Sequence, residues 1–297
     1  MTTLTLNSHT ADSNYIRLFR AIKYPAVILL NLTIWMLAIQ YSLPFSTVSV
    51  PMVISSIALL ILMEQMDIHR LDWQHTMSEW ATELVYFSQN ALTGPAAKTG
   101  LIAILSLWGG LWENNLLFFG QLILTLLLID FTGYLMHRAY HDVSWLWPIH
   151  AIHHAPEKVN VFNNNIAHFL NIALGTIAQL LPVYLLGFSP EVILVASTMS
   201  TIHSFMIHSN SPINFGPLAK IFITPAHHWL HHSTVAEQAG NHATMFTFWD
   251  RLGGTYVSPD NGEPETVGLF QGSLVSQSFF GQVFHPFKEI GKVFKRG

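Results

Sequence analysis

Long apolar runs recur along the chain up to residue 207, and polar stretches separate them. The runs are residues 26–43, 45–63, 116–135, 166–187 and 192–207. Most are about long enough to cross a hydrocarbon layer of roughly 30 Å as a helix, and turns at Pro44 and Pro190 fold four of them into two hairpins. The pattern predicts an all-α integral membrane bundle with about four to six membrane-embedded helices. A cytosolic, histidine-rich helical and loop region is expected to cap it.

Residues 99–112 form a shorter apolar run whose crossing the sequence leaves open. If this run crosses, four helices precede His137. The basic residues Arg17, Arg20 and Lys23 then lie on the same side as the histidines, which the positive-inside rule makes cytoplasmic. We expect one membrane-embedded unit, with membrane helices in residues 1–129, a catalytic region in 130–256 and a tail in 257–297.

Composition narrows the function classes. Charged residues are 10% and hydrophobic residues 51% of the 297 positions, too few charges to cover an ordinary soluble protein. The net charge of -4 offers no continuous basic face, which excludes nucleic-acid binding. Cysteine is absent, so any metal must be bound by nitrogen or oxygen.

Histidines are concentrated and patterned: 13 of the 17 lie between His137 and His242. The pair His137 and His141 is spaced i, i+4. Two triplets are spaced i, i+3, i+4, namely His150, His153, His154 and His228, His231, His232. Residues three and four apart share a helix face, so each group is expected to point its imidazoles in one direction and bind metal.

Other histidines divide into three groups. His208 ends the second hairpin on the histidine side and is expected to be a ligand. The roles of His168, His203, His227 and His242 stay open between metal ligand and hydrogen-bonding neighbour. No functional role is expected for His9, His69, His75 and His285.

Imidazole suits zinc, copper, iron and nickel, so ligand type alone does not select the metal. The zinc-protease motif needs glutamate directly after the first histidine, where this chain has Arg138. The Glu-x-x-His pairs of soluble di-iron bundles are also missing.

Three segments closely resemble the histidine boxes of the fatty acid hydroxylase and sterol desaturase superfamily. They are DFTGYLMHRAYH at residues 130–141, LWPIHAIHH at 146–154 and TPAHHWLHHS at 224–233. The segment WDRLGGTY at 249–256 is similar to that family's closing motif. Gly253 departs from its usual Phe, and His242 and Ala243 stand where an aromatic residue and Gly are common.

The resemblance implies an integral-membrane oxygenase with two non-haem iron ions, for which zinc can substitute on purification. It also implies molecular oxygen, a separate electron-donor protein and a lipid substrate that is hydroxylated or desaturated. The expected metal ligands are His137, His141, His150, His153, His154, His208, His228, His231 and His232. The lipid itself stays open among sterol, fatty acyl chain, ether lipid and carotenoid.

Acidic residues complete the predicted site. Asp130 lies inside an apolar run, where ionisable groups are expensive and usually functional, and seven residues before His137 on the same helix face. We predict catalytic roles for Asp130 and Asp142. Asp142, Glu157 and Asp250 are also candidate hydrogen-bond partners of the ligating imidazoles.

Two other functions compete with the oxygenase. A histidine-rich membrane metal transporter would place its site near the bilayer midplane on broken helices, whereas these boxes lie outside the apolar runs. A catalytically inactive relative that only binds lipid would tolerate loss of box histidines, yet all eight box positions are filled.

Overall fold

The computed structural model describes residues 14–107, 116–270 and 275–296. Within these ranges the chain forms helices, turns and two isolated β-bridges but no β-strand. The α-helices are α1 (Asn14–Gln40), α2 (Phe45–Met66), α3 (Met77–Ser106), α4 (Phe118–Asp142), α5 (Trp147–His150), α6 (Phe169–Leu185), α7 (Pro190–Ile207), α8 (Pro225–His231), α9 (Thr247–Gly253) and α10 (Phe279–Arg296).

Four helices, α1, α2, α4 and α7, are long and apolar enough to cross a membrane, and α6 is a shorter apolar helix of 17 residues. Their outward faces carry bare apolar side chains such as Leu29, Met36 and Leu62. Lipid, unlike water, accommodates such faces without cost. The predicted all-α membrane bundle is confirmed, and the chain is an integral membrane protein.

The short run at 99–112 is not a separate helix as far as the structure describes it. Residues 99–106 continue α3, which starts at a capping box in which Thr76 accepts from the Glu79 N–H and Glu79 accepts from the Thr76 N–H. The cap fixes the start of α3, and the helix continues past Gly94, Pro95 and Gly100 into this run. Residues 108–112 lie outside the described part.

The start of α1 lies at the histidine end of the bundle. Arg20 and Lys23 both pair with Asp67 just after α2, and the Arg20 carbonyl accepts from the Asn214 N–H beyond α7. α3 begins at the same end and reaches the far end, where its Leu101 packs in one cluster with Leu180. α4 then returns to the histidine end, so the chain traverses the bundle four times before His137.

A gap between α6 and α7 leaves room for a site at the histidine end of the bundle. α4 packs extensively on both α6 and α7, whereas α6 and α7, although consecutive, make almost no contact with each other. They are joined near the far end, where the side chain of Ser189 caps α7 by accepting from the Val192 N–H. They diverge towards the histidine end and leave a wedge floored by α4.

Candidate metal centre

All nine histidines predicted as ligands converge at one end of the bundle and form two clusters. Cluster 1 contains His137, His141, His150, His154 and His231, and cluster 2 contains His153, His208, His228 and His232. Within each cluster the candidate ligand nitrogens all lie within 4.8 Å of one another. Either set therefore offers enough nitrogen ligands for one metal ion.

The sequence expectation that each triplet points in one direction is wrong. His228 and His232 enter cluster 2 while His231 enters cluster 1, and His153 likewise separates from its neighbour His154. Adjacent residues on a helix point about 100° apart, so the i+3 and i+4 members of α8 diverge. Each triplet thus contributes to both clusters and holds them side by side.

Five of the nine imidazoles are oriented through Nδ1. The Nδ1 atoms of His137, His153 and His231 lie 2.7, 3.0 and 2.7 Å from the backbone carbonyl oxygens of residues 242, 166 and 240. His150 and His208 use amide oxygens instead, Oδ1 of Asn171 at 2.9 Å and Oδ1 of Asn163 at 3.1 Å. An acceptor at Nδ1 places the proton there and leaves the Nε2 lone pair free for a metal.

In each cluster, the Nε2 atoms of two histidines face each other, and their geometry shows whether a metal ion fits between them. Nε2 of His137 lies 3.0 Å from Nε2 of His150, and Nε2 of His208 lies 3.2 Å from Nε2 of His153. Because Nδ1 of each ring already donates its proton to an oxygen, two lone pairs point at each other in both pairs. A shared cation relieves that repulsion, so the residues fit one metal ion in each cluster.

Burial favours the neutral form of these ligands. It lowers the pKa of His153 to about 4 and holds the pKa values of His150 and His228 well below the ordinary range, with neighbouring imidazoles adding to the shift in the latter two. The rings therefore carry no proton on the metal-facing nitrogen at neutral pH.

Asp130 lies outside both clusters. Its carboxylate is buried and accepts the backbone N–H groups of Thr244, Met245 and Phe246 at 3.1, 2.8 and 2.9 Å. That loop follows His242, whose carbonyl oxygen orients His137. The hydrogen bonds of Asp130 therefore hold the loop that carries this carbonyl, and its predicted catalytic role stays a prediction.

The other predicted acids do not bind Nδ1 of any of the nine clustered imidazoles, although Asp250 lies 3.8 Å from Nδ1 of His242 beside cluster 1. Asp142 is exposed and pairs with Arg138 at 3.0 Å, and Glu157 is exposed. Asp250 is buried and accepts from the N–H groups of residues 242 and 243 and from the Thr255 hydroxyl, and burial raises its pKa. The observed partners are backbone carbonyls and asparagine amides, which carry no charge and no spacing pattern that would mark them in the sequence.

The four histidines left open lie outside the clusters. His168 caps α6 and lies 3.0 Å from the Val283 carbonyl, His203 bonds the Tyr24 hydroxyl, and His227 forms the cap of α8 with Thr224. The His242 ring lies 4.9 Å from that of His141, beside cluster 1 without joining it.

Gly253, where the resembled family usually has Phe, is explained by close packing. A Cβ at this position would lie 1.8 Å from the Tyr134 hydroxyl oxygen, and the Gly253 carbonyl accepts from Arg138 at 2.9 Å. α4 thereby occupies the space that a larger side chain would need.

A cavity of about 430 Å³ fills the wedge between α6 and α7 and reaches the histidines. Its lining includes His137 and His150 of cluster 1 and His153 of cluster 2. A bound molecule in this cavity would therefore lie against both clusters. The exposed Thr201 also lines it, so the cavity extends to the outer surface of the bundle.

These features define a membrane protein with two adjacent all-histidine clusters that could each hold a metal ion and that share one cavity. Comparison with known proteins agrees with that class: residues 122–255 match the fatty acid hydroxylase family. The predicted resemblance to the fatty acid hydroxylase and sterol desaturase superfamily is therefore confirmed over this segment of the chain.

Its relatives are named as lipid hydroxylases and monooxygenases. Ornithine lipid hydroxylase OlsE of Rhizobium tropici is 28% identical over 80% of this chain and 75% of its own length. Alkylglycerol monooxygenase of Caenorhabditis elegans is 28% identical over 54% of this chain and 31% of the relative, and methylsterol monooxygenase 1 of Rattus norvegicus is 31% identical over 43% of each. This chain therefore spans less than half of the latter two. No solved structure matches it.

The family confirms the predicted enzyme class, an oxidoreductase, and disfavours the transporter. The matched segment begins within α4.

Proposed function

We propose that this protein is a membrane di-iron hydroxylase that oxidises a C–H bond of a lipid with molecular oxygen. The observation that carries the proposal is the cavity lined by histidines of both clusters, which opens between membrane-embedded helices. A lipid can reach such a cavity from the bilayer without entering water.

In this proposal one iron ion is held by His137, His141, His150, His154 and His231, and the other by His153, His208, His228 and His232. Iron is assigned from the family, because imidazole also binds zinc and copper more tightly than ferrous iron. Zinc found after purification is therefore compatible with iron as the working metal.

When bound, the iron pair supplies the oxygen activation that no side chain can perform. In the balanced reaction, C–H becomes C–OH with one atom of O₂. The other atom leaves as water with two protons and two electrons from a separate electron-donor protein.

The chain's own residues hold the metal-binding imidazoles and the loop beside them in place. The carbonyl and amide acceptors fix the ring orientations of the ligands, and Asp130 holds residues 244–246 beside the His242 carbonyl. Second-layer hydrogen bonds of this kind keep a metal site in its working geometry.

The histidine end is proposed to face the cytoplasm. Arg20 and Lys23 lie at this end, and the basic residues Lys288 and Lys292 follow on α10, as the positive-inside rule expects. The electron donor would then approach from the cytoplasm. Hydroxylation is favoured over desaturation because the relatives are named hydroxylases and monooxygenases.

The test is a lipid profile of cells that express the protein, grown in isotopically labelled O₂. We expect a lipid heavier by one labelled oxygen atom. His153→Ala should insert into the membrane at the same level, lose metal from cluster 2 and form no product. Unlabelled product, or oxygen-dependent turnover by that variant, would contradict the proposal.

A further inference from the structure

The cavity is lined by polar side chains on two helices that are otherwise apolar. On α7, Ser197, Ser200 and Ser204 recur every three or four residues and face it, and on α6 Thr176 and Gln179 do the same. Both helices are otherwise strongly apolar.

Most of these polar groups have no partner in the described parts of the chain. The side chains of Thr176, Gln179, Ser197 and Ser200 make no hydrogen bond there. By contrast, Thr198 faces away from the cavity and donates to the Leu194 carbonyl of its own helix at 2.8 Å. Unpaired hydrogen-bonding groups within a membrane are costly, so this wall is built for a ligand that pairs with them.

The polar wall lies close to the metal-facing histidines. A Cβ at Gly133 would lie 3.3 Å from Gln179 Nε2, and Gly133 precedes His137 by four residues, about 6 Å of helical rise. Asn171 also lines the cavity; its Oδ1 lies 2.9 Å from His150 Nδ1, and its Nδ2 makes no protein hydrogen bond in the described ranges. Hydrogen-bonding groups therefore reach to within about a turn of the clusters.

The cavity volume limits what it holds. At about 430 Å³ it falls in the lower half of the range of ligand pockets, which is enough for one segment of a membrane lipid. The part of a lipid that hydrogen-bonds is its head group and the linkage to its chains.

We infer that the substrate is a lipid bearing amide or hydroxyl groups that sit between α6 and α7, and that the oxidised carbon is adjacent to this polar segment. The inference rests on the proposed function for its chemistry and specifies the substrate class of the same cavity. A hydrocarbon chain oxidised far from any polar group would leave the wall unpaired.

The experiment compares two probes in phosphatidylcholine nanodiscs: a long-chain N-acyl ethanolamine and the n-alkane of equal chain length. Binding is measured without oxygen by competition, so turnover is not required. The wild type should prefer the acyl ethanolamine. Gln179→Leu, which keeps the side-chain size but removes its hydrogen bonding, should weaken that binding about five- to tenfold, as expected for one or two neutral hydrogen bonds. Alkane binding should stay the same.

Ser200→Ala is the second variant, and Ser88→Ala is its matched control on α3, where the hydroxyl bonds its own helix at the exposed surface. The first should weaken acyl ethanolamine binding and the second should not, with metal content unchanged in both. Equal binding of the two probes by the wild type, or no effect of either cavity variant, overturns the inference.

Turnover then separates the two proposals. Tandem mass spectrometry should place the new hydroxyl within a few carbons of the amide. Oxidation in the middle or at the far end of the chain overturns the inferred position while supporting the hydroxylase. Selective binding with no oxidation of any lipid in the presence of reductant contradicts the proposed function and leaves the polar recognition standing.

Discussion

Asp130→Asn distinguishes a positioning role of Asp130 from direct catalysis. The wild-type carboxylate accepts three backbone N–H groups, two on Oδ1 and one on Oδ2. Asparagine keeps the shape of the side chain but replaces one carboxylate oxygen by an NH₂ group, which donates and cannot accept a hydrogen bond. If the NH₂ group replaces Oδ2, the Phe246 N–H loses its acceptor; if it replaces Oδ1, the N–H groups of residues 244 and 245 lose theirs.

The size of the effect follows from these bonds. One orphaned buried N–H costs about 1–3 kcal/mol, and weakening the remaining charge-assisted bonds adds about 1 kcal/mol. The total of about 2–4 kcal/mol corresponds to a fall in Tm of about 5–12 °C for a chain of this size. Because the loop carries the carbonyl that orients His137, the metal affinity of cluster 1 should also fall, by about tenfold or more.

The assay is thermal unfolding in nanodiscs together with metal content and product formation. Asp142→Asn is the matched control, since its pair with Arg138 at 3.0 Å is exposed and contributes less than about 1 kcal/mol. That variant should keep its Tm and its metal. If Asp130→Asn keeps both the wild-type Tm and full metal yet forms no product, the positioning account is refuted.

Three further predictions concern the cavity, cluster 2 and pH. A Cβ at Gly175 would meet nothing within 4 Å, so Gly175→Phe should fill the cavity and abolish turnover with metal retained, whereas Gly175→Ala should stay active in the same product assay. Asn163→Ala removes the acceptor of His208 Nδ1 and should weaken metal binding at cluster 2 about 10- to 100-fold in a metal titration, leaving cluster 1 loaded. Burial lowers the pKa of His227 to about 4 in the folded chain, whereas its pKa in the unfolded chain is about 6.5. As the pH falls, the unfolded chain therefore binds a proton at this histidine before the folded chain does. The metal-free protein should lose stability as pH falls from about 6.5 to 4, which unfolding curves at stepped pH would show; a stability that is flat or rises over that interval contradicts the assignment.

The helices and the histidines could be predicted from sequence because each leaves a local pattern. The apolar runs at 45–63 and 192–207 correspond to α2 and α7 nearly residue for residue. The three boxes and His208 identified every member of both clusters, since spacing and type are enough to recognise candidate ligands.

What the sequence left hidden depends on tertiary contacts. The division of each triplet between two clusters follows from the direction of each ring once α8 and the turn after α5 are docked. The amide partners Asn163 and Asn171 come from segments distant from the histidines they orient. The sequence marks Asp130 as a polar residue in an apolar run, but only the fold shows that its carboxylate holds residues 244–246.

The central claim is that the nine histidines hold two metal ions side by side, and the most direct test is anaerobic titration of metal-free protein with ferrous iron, counting ions per chain. We expect saturation at two ions per chain. His228→Ala, which leaves cluster 2 with three imidazoles, should saturate at one ion, and so should the double variant His150→Ala/His154→Ala, which leaves cluster 1 with three. Saturation of the wild type at one ion, or no saturable binding, would contradict it.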